Sequence, residues 1–199
     1  MRVDRAREAA LDALAACRRN GAWIDGALKQ VLKRDGLSGR DAAFASRIAY
    51  GVMQNRIYLD RCLARCLTQR PEKLEPLLLD ILRIGAYQIL FMDKVPVNAA
   101  VNEAVEMAKA HKLSRAAGLV NAVLRNVDRR RGEPLAIADR LEALSVQTSH
   151  PRALVERMVG LLGLKEAEAF LRADNEPVPT SIQTNTLKTT AKRLRASLE

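Results

Sequence analysis

The sequence predicts an all-α bundle over its first two-thirds, followed by the helical start and first strand of a second, α/β or α+β, domain. Three observations point there. Hydrophobic residues make up 48% of the chain but aromatics only 4%, so the core must be built from Leu, Val, Ile and Ala, a mix that favours packed helices over a β-sandwich. Apolar residues recur at helical spacing from Val3 to Val127. The charge is divided unevenly: residues 1–132 hold 24 Lys+Arg against 14 Asp+Glu, whereas residues 133–199 hold 9 of each. Of those 24 basic residues, 18 are arginine. An arginine-rich helical module joined to a neutral segment points to a device that grips a polyanion and positions something else.

The elements follow in order. Val3, Ala6, Ala10, Leu11, Leu14 and Cys17 form one stripe, stopped at Gly21. Trp23, Ala27, Leu28, Val31 and Leu32 form a second, stopped at Gly36. Ser38 stands three residues before Asp41, a relative of the capping box. The run from Phe44 to Gln69 predicts two helices or one bent one. Pro76 suits a first helical turn, and the helix it opens is apolar nearly all round, so it is expected to be the most buried element. Gly85 within it marks a close helix–helix contact. Pro96 precedes a helix over Val97–Lys112, and Ser114 caps another running to Asp128-Arg129-Arg130-Arg131.

Gly132-Glu133-Pro134 divides the chain into domains 1–132 and 133–199. Beyond it the pattern predicts helices over 135–147, Pro151–Leu162 and Lys165–Ala173, with His150 as a helix cap. Pro177 and Pro179 disfavour helix before them. Thr180–Leu187 reads as a strand and Thr190–Leu198 as a further helix, a strand–helix unit that opens an α/β or α+β domain.

Cys17, Cys62 and Cys66 form no disulfide framework. Cys62 and Cys66 share a helical face at i,i+4, which could hold two metal ligands, but the only histidines, His111 and His150, are remote in sequence. Buried free thiols in a reducing cytoplasm are expected instead. The Met1–Arg5 start carries no apolar signal region, and no apolar run is long enough to span a bilayer. A cytoplasmic protein without membrane contact is expected.

Three stretches carry a resemblance: Leu82-Arg83-Ile84-Gly85-Ala86-Tyr87; Val95 through Lys109 with its Asn102-Glu103-Ala104-Val105 run; and Leu119-Val120-Asn121-Ala122-Val123-Leu124-Arg125. Together they resemble the NusB family, the all-helical RNA-binding fold of transcription antitermination, over about residues 3–130. Past it, Ser149-His150-Pro151, Leu154-Val155, Asn175-Glu176-Pro177 and Thr184-Asn185-Thr186-Leu187-Lys188 resemble, in that order, the opening of the bacterial small-subunit ribosomal RNA cytosine-C5 methyltransferases (the B-type, or Sun/Fmu, proteins). Where that family carries Arg two residues before the strand's Asn, this chain has Gln183.

The resemblance implies a NusB-like RNA-binding domain in front of an S-adenosylmethionine-dependent catalytic domain, with this chain stopping short of the latter and unable to methylate alone. The family's glycine-rich donor loop has no counterpart here, since Gly160 and Gly163 lie in a helical pattern. Its two catalytic cysteines match none of the three present. The implied partners are small-subunit ribosomal RNA, the chain's own catalytic domain and a ribosomal protein. A NusB-type antitermination factor binding leader RNA is the alternative, and residues 133–199 discriminate against it. A protein-interaction adaptor whose basic face meets an acidic partner is a third class.

RNA contact would rest on phosphate neutralisation, with Arg favoured for its bidentate fork and its stacking plane. Three groups are candidates: Arg2, Arg5 and Arg7 at the start of the first helix, Arg18 and Arg19 at its end, and Arg125, Arg129, Arg130 and Arg131 at the end of the last helix of the bundle. Each has a structural alternative. Arg5 can pair on the helix surface, and the terminal clusters complement helix dipoles. Arg83, within the most apolar helix, is expected in a buried polar contact. Asn102, Glu103 and Asn121 are read as satisfying helix ends and crossings.

Overall fold

The computed structural model describes residues 3–176 and 181–198. Helix α1 spans Arg5–Asn20. Asp4 caps it by accepting the Arg7 amide at 3.0 Å, and Gly21 ends it with φ of 63°, a left-handed turn suited to glycine. Next come α2 (Ile24–Arg34), α3 (Gly39–Gln54) and α4 (Arg56–Ala64). The run predicted as one bent helix or two is therefore two, parted at Asn55. Then follow α5 (Pro76–Phe91), α6 (Val97–Ala110) and α7 (Ala117–Arg129).

Helix α5 is the axis. Helices α1, α3, α4, α6 and α7 all pack on it, and Ile81, Leu82 and Ile84 are fully buried. Two polar side chains, Asp80 and Gln88, are buried with them. Each is the anchor of an arginine from α1: Arg18 Nε donates to Asp80 Oδ2 at 3.0 Å, and Arg7 Nε donates to Gln88 Oε1 at 2.8 Å. These two bonds fix α1 antiparallel to α5.

A second, smaller core consists of Leu144, Val155 and Leu171, from α8 (Arg140–Thr148), α9 (Arg152–Leu162) and α10 (Leu164–Ala173). Helix α8 rests on α4. The Ile57 amide donates to Ser149 Oγ at 3.1 Å. Asn175 fastens the other side, its Nδ2 donating to the Thr148 carbonyl at 2.6 Å and its Oδ1 accepting from Gln54 at 3.1 Å. A last helix, α11, covers Ala191–Leu198.

Several expectations are corrected. The Thr180–Leu187 strand is not formed: Thr180 lies outside the described residues, 181–185 is irregular and 186–188 is a turn. A strand needs a ladder partner, and no described residue forms one. Helix α8 starts at Arg140, not 135, because Asp139 supplies the N-cap. Ser114 opens a 3₁₀ turn over Ser114–Ala116 instead of capping α7. Ser38 sits at the N-cap of α3 without a side-chain cap bond. His150 is no cap, for its ring meets Asp174 at 3.1 Å. Pro177 and Pro179 lie outside the described residues. Among the described residues no helix is long and apolar enough to cross a membrane.

Candidate nucleic-acid interface

The structure separates the predicted arginines into three places. Arg2 lies outside the described residues. Arg5 is exposed and its guanidinium donates to the Asp35 carbonyl. Arg7 is the clear correction. It is only 9% exposed, held by Gln88 and Asp4 and stacked over the Phe44 ring at 4.9 Å from its centroid. Its position on the inward face of α1, four residues before Leu11, makes it a fastener of the bundle.

Arg18 is about one-third exposed and tied to Asp80. Arg19 is exposed and donates to the Ala15 carbonyl at 3.3 Å, closing its own helix end. At the far end of the bundle Arg125 donates to Asn121 at 3.1 Å. Arg131 pairs with Asp93 at 3.0 Å. Arg129 and Arg130 are exposed, and neither makes an ion pair among the described residues. Asn121 thus orients Arg125, and Glu103 accepts the Asp4 amide at 3.1 Å, a structural use as read from the sequence. Arg83 likewise makes a buried polar contact, bridging Asp60 at 2.7 and 2.8 Å and Asp80 at 3.0 Å. Burial alone would pull its pKa down, but the bonds and field of the two carboxylates outweigh that and push it up.

Arg5 and Arg131 stand at opposite ends of α6. Arg5 lines a groove with Ala110 and His111 at its C-terminal end, and Asp93, the partner of Arg131, precedes its start. Fourteen residues of helix separate them, about 20 Å. The first and last predicted groups therefore stand apart.

A cationic surface forms where α7 ends beside α4. Arg130 and Arg65 line one narrow groove with Cys66 and Glu133, and Arg61 and Arg65 line the next with Pro134 and Leu135. Glu133, bonded to Arg65 at 2.7 Å, and Asp93, bonded to Arg131, offset part of it. Cys66 registers this field: burial raises its thiol pKa, while Arg130 and Arg65 pull it the other way. Cys62 is raised by burial and lowered by its Tyr58 bond. All three thiols are partly buried, and among the described residues no group of three or more potential ligands is arranged for a metal.

Sequence reading missed Arg61 and Arg65. The i,i+4 spacing of Arg61 in the last turn of α4 and Arg65 at its C-cap was the available signal, hidden because α4 could not be separated from α3.

A family model described as the NusB family matches residues 4–129. The chain belongs to the NusB family. Over 190 residues it is 34% identical to the probable ribosomal RNA small subunit methyltransferase B of Bacillus subtilis, with 94% of this chain and 42% of that protein covered. The chain thus spans about two-fifths of that relative's length. The crystal structure of PH0851 aligns over 100% of this chain and 44% of its own, with a TM-score of 0.70 and 21% identity. A chain from the crystal structure of antitermination factors NusB and NusE in complex with dsRNA aligns over 63% of this chain and 95% of its own, with a TM-score of 0.59 and 19% identity. At those identities the two structures carry the fold. Within this NusB-family region, α4 and α7 frame the cationic grooves. Helices α8–α10 lie beyond the family match, and the likeness to the methyltransferase continues through them.

Proposed function

We propose that this chain is the RNA-binding and positioning part of an S-adenosylmethionine-dependent ribosomal RNA (cytosine-C5) methyltransferase that acts on small-subunit RNA in the cytoplasm. The observation that carries this reading is the extent of the likeness to methyltransferase B, which covers 94% of the chain and so runs past the family match at residue 129 into the latched helices α8–α10. The arginine cluster around Arg65 and Arg130 supplies the electrostatic grip.

The described residues do not fit the methyl donor. Gly160 lies inside α9 and Gly163, with φ of 76°, is the junction to α10, so neither belongs to a phosphate-type loop. Donor binding, base flipping and methyl transfer fall, in this reading, to a catalytic domain outside the described residues.

A fluorescence titration against small-subunit ribosomal RNA over a salt series tests the proposal. Roughly micromolar or tighter binding with a steep log–log salt slope is expected. Salt-insensitive binding, or none, overturns it. An antitermination factor with a ribosomal-protein partner is the competing reading, supported by the fold likeness to the NusB–NusE–RNA complex. It gives α8–α10 no task, and copurification with a small ribosomal protein would favour it.

A further inference from the structure

Trp23 is the only tryptophan of the chain, and the sequence pattern places it in the buried stripe of α2. The structure does the opposite. The left-handed turn at Gly21 redirects the chain, α2 begins three residues later at Ile24 with Trp23 as its N-cap residue, and Trp23 is 86% exposed. The helix buries Ala27, Leu28 and Val31 instead. An indole this open forgoes the burial that normally makes tryptophan stabilising.

Its surroundings are rich in arginine, although Trp23 itself lines neither neighbouring cavity. Two cavities flank the α1–α2 turn, and Ala22, the neighbour of Trp23, lines both. One, of about 380 Å³, is bordered by Arg18 and Arg56. The other, of about 340 Å³, is bordered by Arg19, Asn20 and Gln30. Two nearby carboxylates are paired with arginine, Asp80 with Arg18 and Arg83 and Asp12 with Arg34, and Asp25 accepts from the Tyr50 hydroxyl at 2.6 Å. Arg56 is exposed and makes no ion pair among the described residues. Arg19 bonds only to its own helix end.

We propose that Trp23 is a stacking platform for an unpaired RNA base, with Arg19 and Arg56 taking the phosphates on either side. This rests on the RNA-binding reading above and names the form of RNA read at this site: a single-stranded or looped segment, since a base within a duplex offers no free face. Helix α4 opens with Arg56, carries Arg61 further along and is capped by Arg65, so a strand leaving the indole past Arg56 is led toward the cluster of α4 and α7.

The lone indole is its own probe. The full chain is titrated with a fluorescein-labelled small-subunit RNA fragment containing an unpaired loop, and with its fully paired counterpart, while label anisotropy and tryptophan emission are followed together. Emission quenched by the looped RNA and not by the paired one is expected. Trp23→Phe, which keeps a ring, should bind within about twofold of wild type, and Trp23→Ala should bind at least about fivefold more weakly. Both variants should melt as wild type does, because the side chain is exposed. A rise in anisotropy with unchanged emission and unchanged Trp23→Ala affinity overturns the stacking role and leaves the RNA reading standing. No rise in anisotropy with either RNA defeats both. Quenching by purified small-subunit ribosomal proteins but not by RNA makes Trp23 a protein contact and overturns the proposal.

Discussion

Gly85 on α5 lies directly beneath the Leu124 side chain of α7, so close that a Cβ placed on the glycine would sit 2.5 Å from Leu124 Cδ1. Leu124 is fully buried and cannot swing aside. Gly85→Ala is therefore expected to destabilise the chain: overpacking costs about 1–3 kcal/mol, against about 1 kcal/mol gained in helix propensity. Leu124→Ala alone should cost about 2–5 kcal/mol. The double variant should cost clearly less than the sum, and urea unfolding of all four proteins reads the coupling.

Removing Arg7 should damage the fold and spare the ligand. Arg7→Ala leaves Gln88 Oε1 buried without its donor and strips the cation from Phe44. A loss of about 2 kcal/mol is expected. RNA affinity measured well below the melting temperature should stay within about twofold, since a 9% exposed side chain has no reach outward. A large loss of affinity in a folded Arg7→Ala protein would contradict the geometry.

Arg129 and Arg130 predict the reverse. They are exposed and unpaired among the described residues, so the double alanine variant should melt as wild type does. If each neutralises a phosphate, the log–log salt slope should fall by about two. An unchanged slope would remove this end of α7 from the interface.

Asn175→Ala should loosen α8–α10 selectively. Its side chain closes the small core through Thr148 and ties it to Gln54. Hydrogen exchange over 139–176 should quicken while the amides of α5 keep their protection.

The acid limb of stability should register Asp139. The Glu142 amide, and after it the Arg152 guanidinium, hold its carboxyl below the ordinary value of 3.8. A depressed carboxyl contributes stability above its unfolded pKa and loses it as pH falls through the folded one. Between about pH 5 and about pH 3 the melting temperature of wild type should thus drop more than that of Asp139→Asn, which keeps the capping acceptor without the charge.

The helices were legible where local chemistry decides them. Gly21 and Gly36 ended α1 and α2, Pro76 began α5, and the all-round apolar pattern of α5 announced its central place. What escaped were matters of orientation. Arg7 and Trp23 exchange the roles their residue types suggest, the guanidinium going in and the indole out, because Gln88 offers a buried acceptor and Gly21 redirects the backbone. Gln88 lies 81 residues from Arg7, so no local signature announces that pairing, and the stop at Gly21 was legible without the direction in which it sends Trp23. The strand over 180–187 failed for a related reason: pairing is a relation between segments, and period-two alternation records only one of them.

The core of α8–α10, three large side chains from some forty residues, is too small to stand unaided. It is steadied by α4, whose Leu59 and Leu63 are sunk in the larger core. On a ribosome the chain emerges from its N-terminus, so the host surface is finished before its dependent guest leaves the exit tunnel. The order of synthesis and the order of structural dependence coincide, and circular permutation that puts residues 139–176 first would separate them.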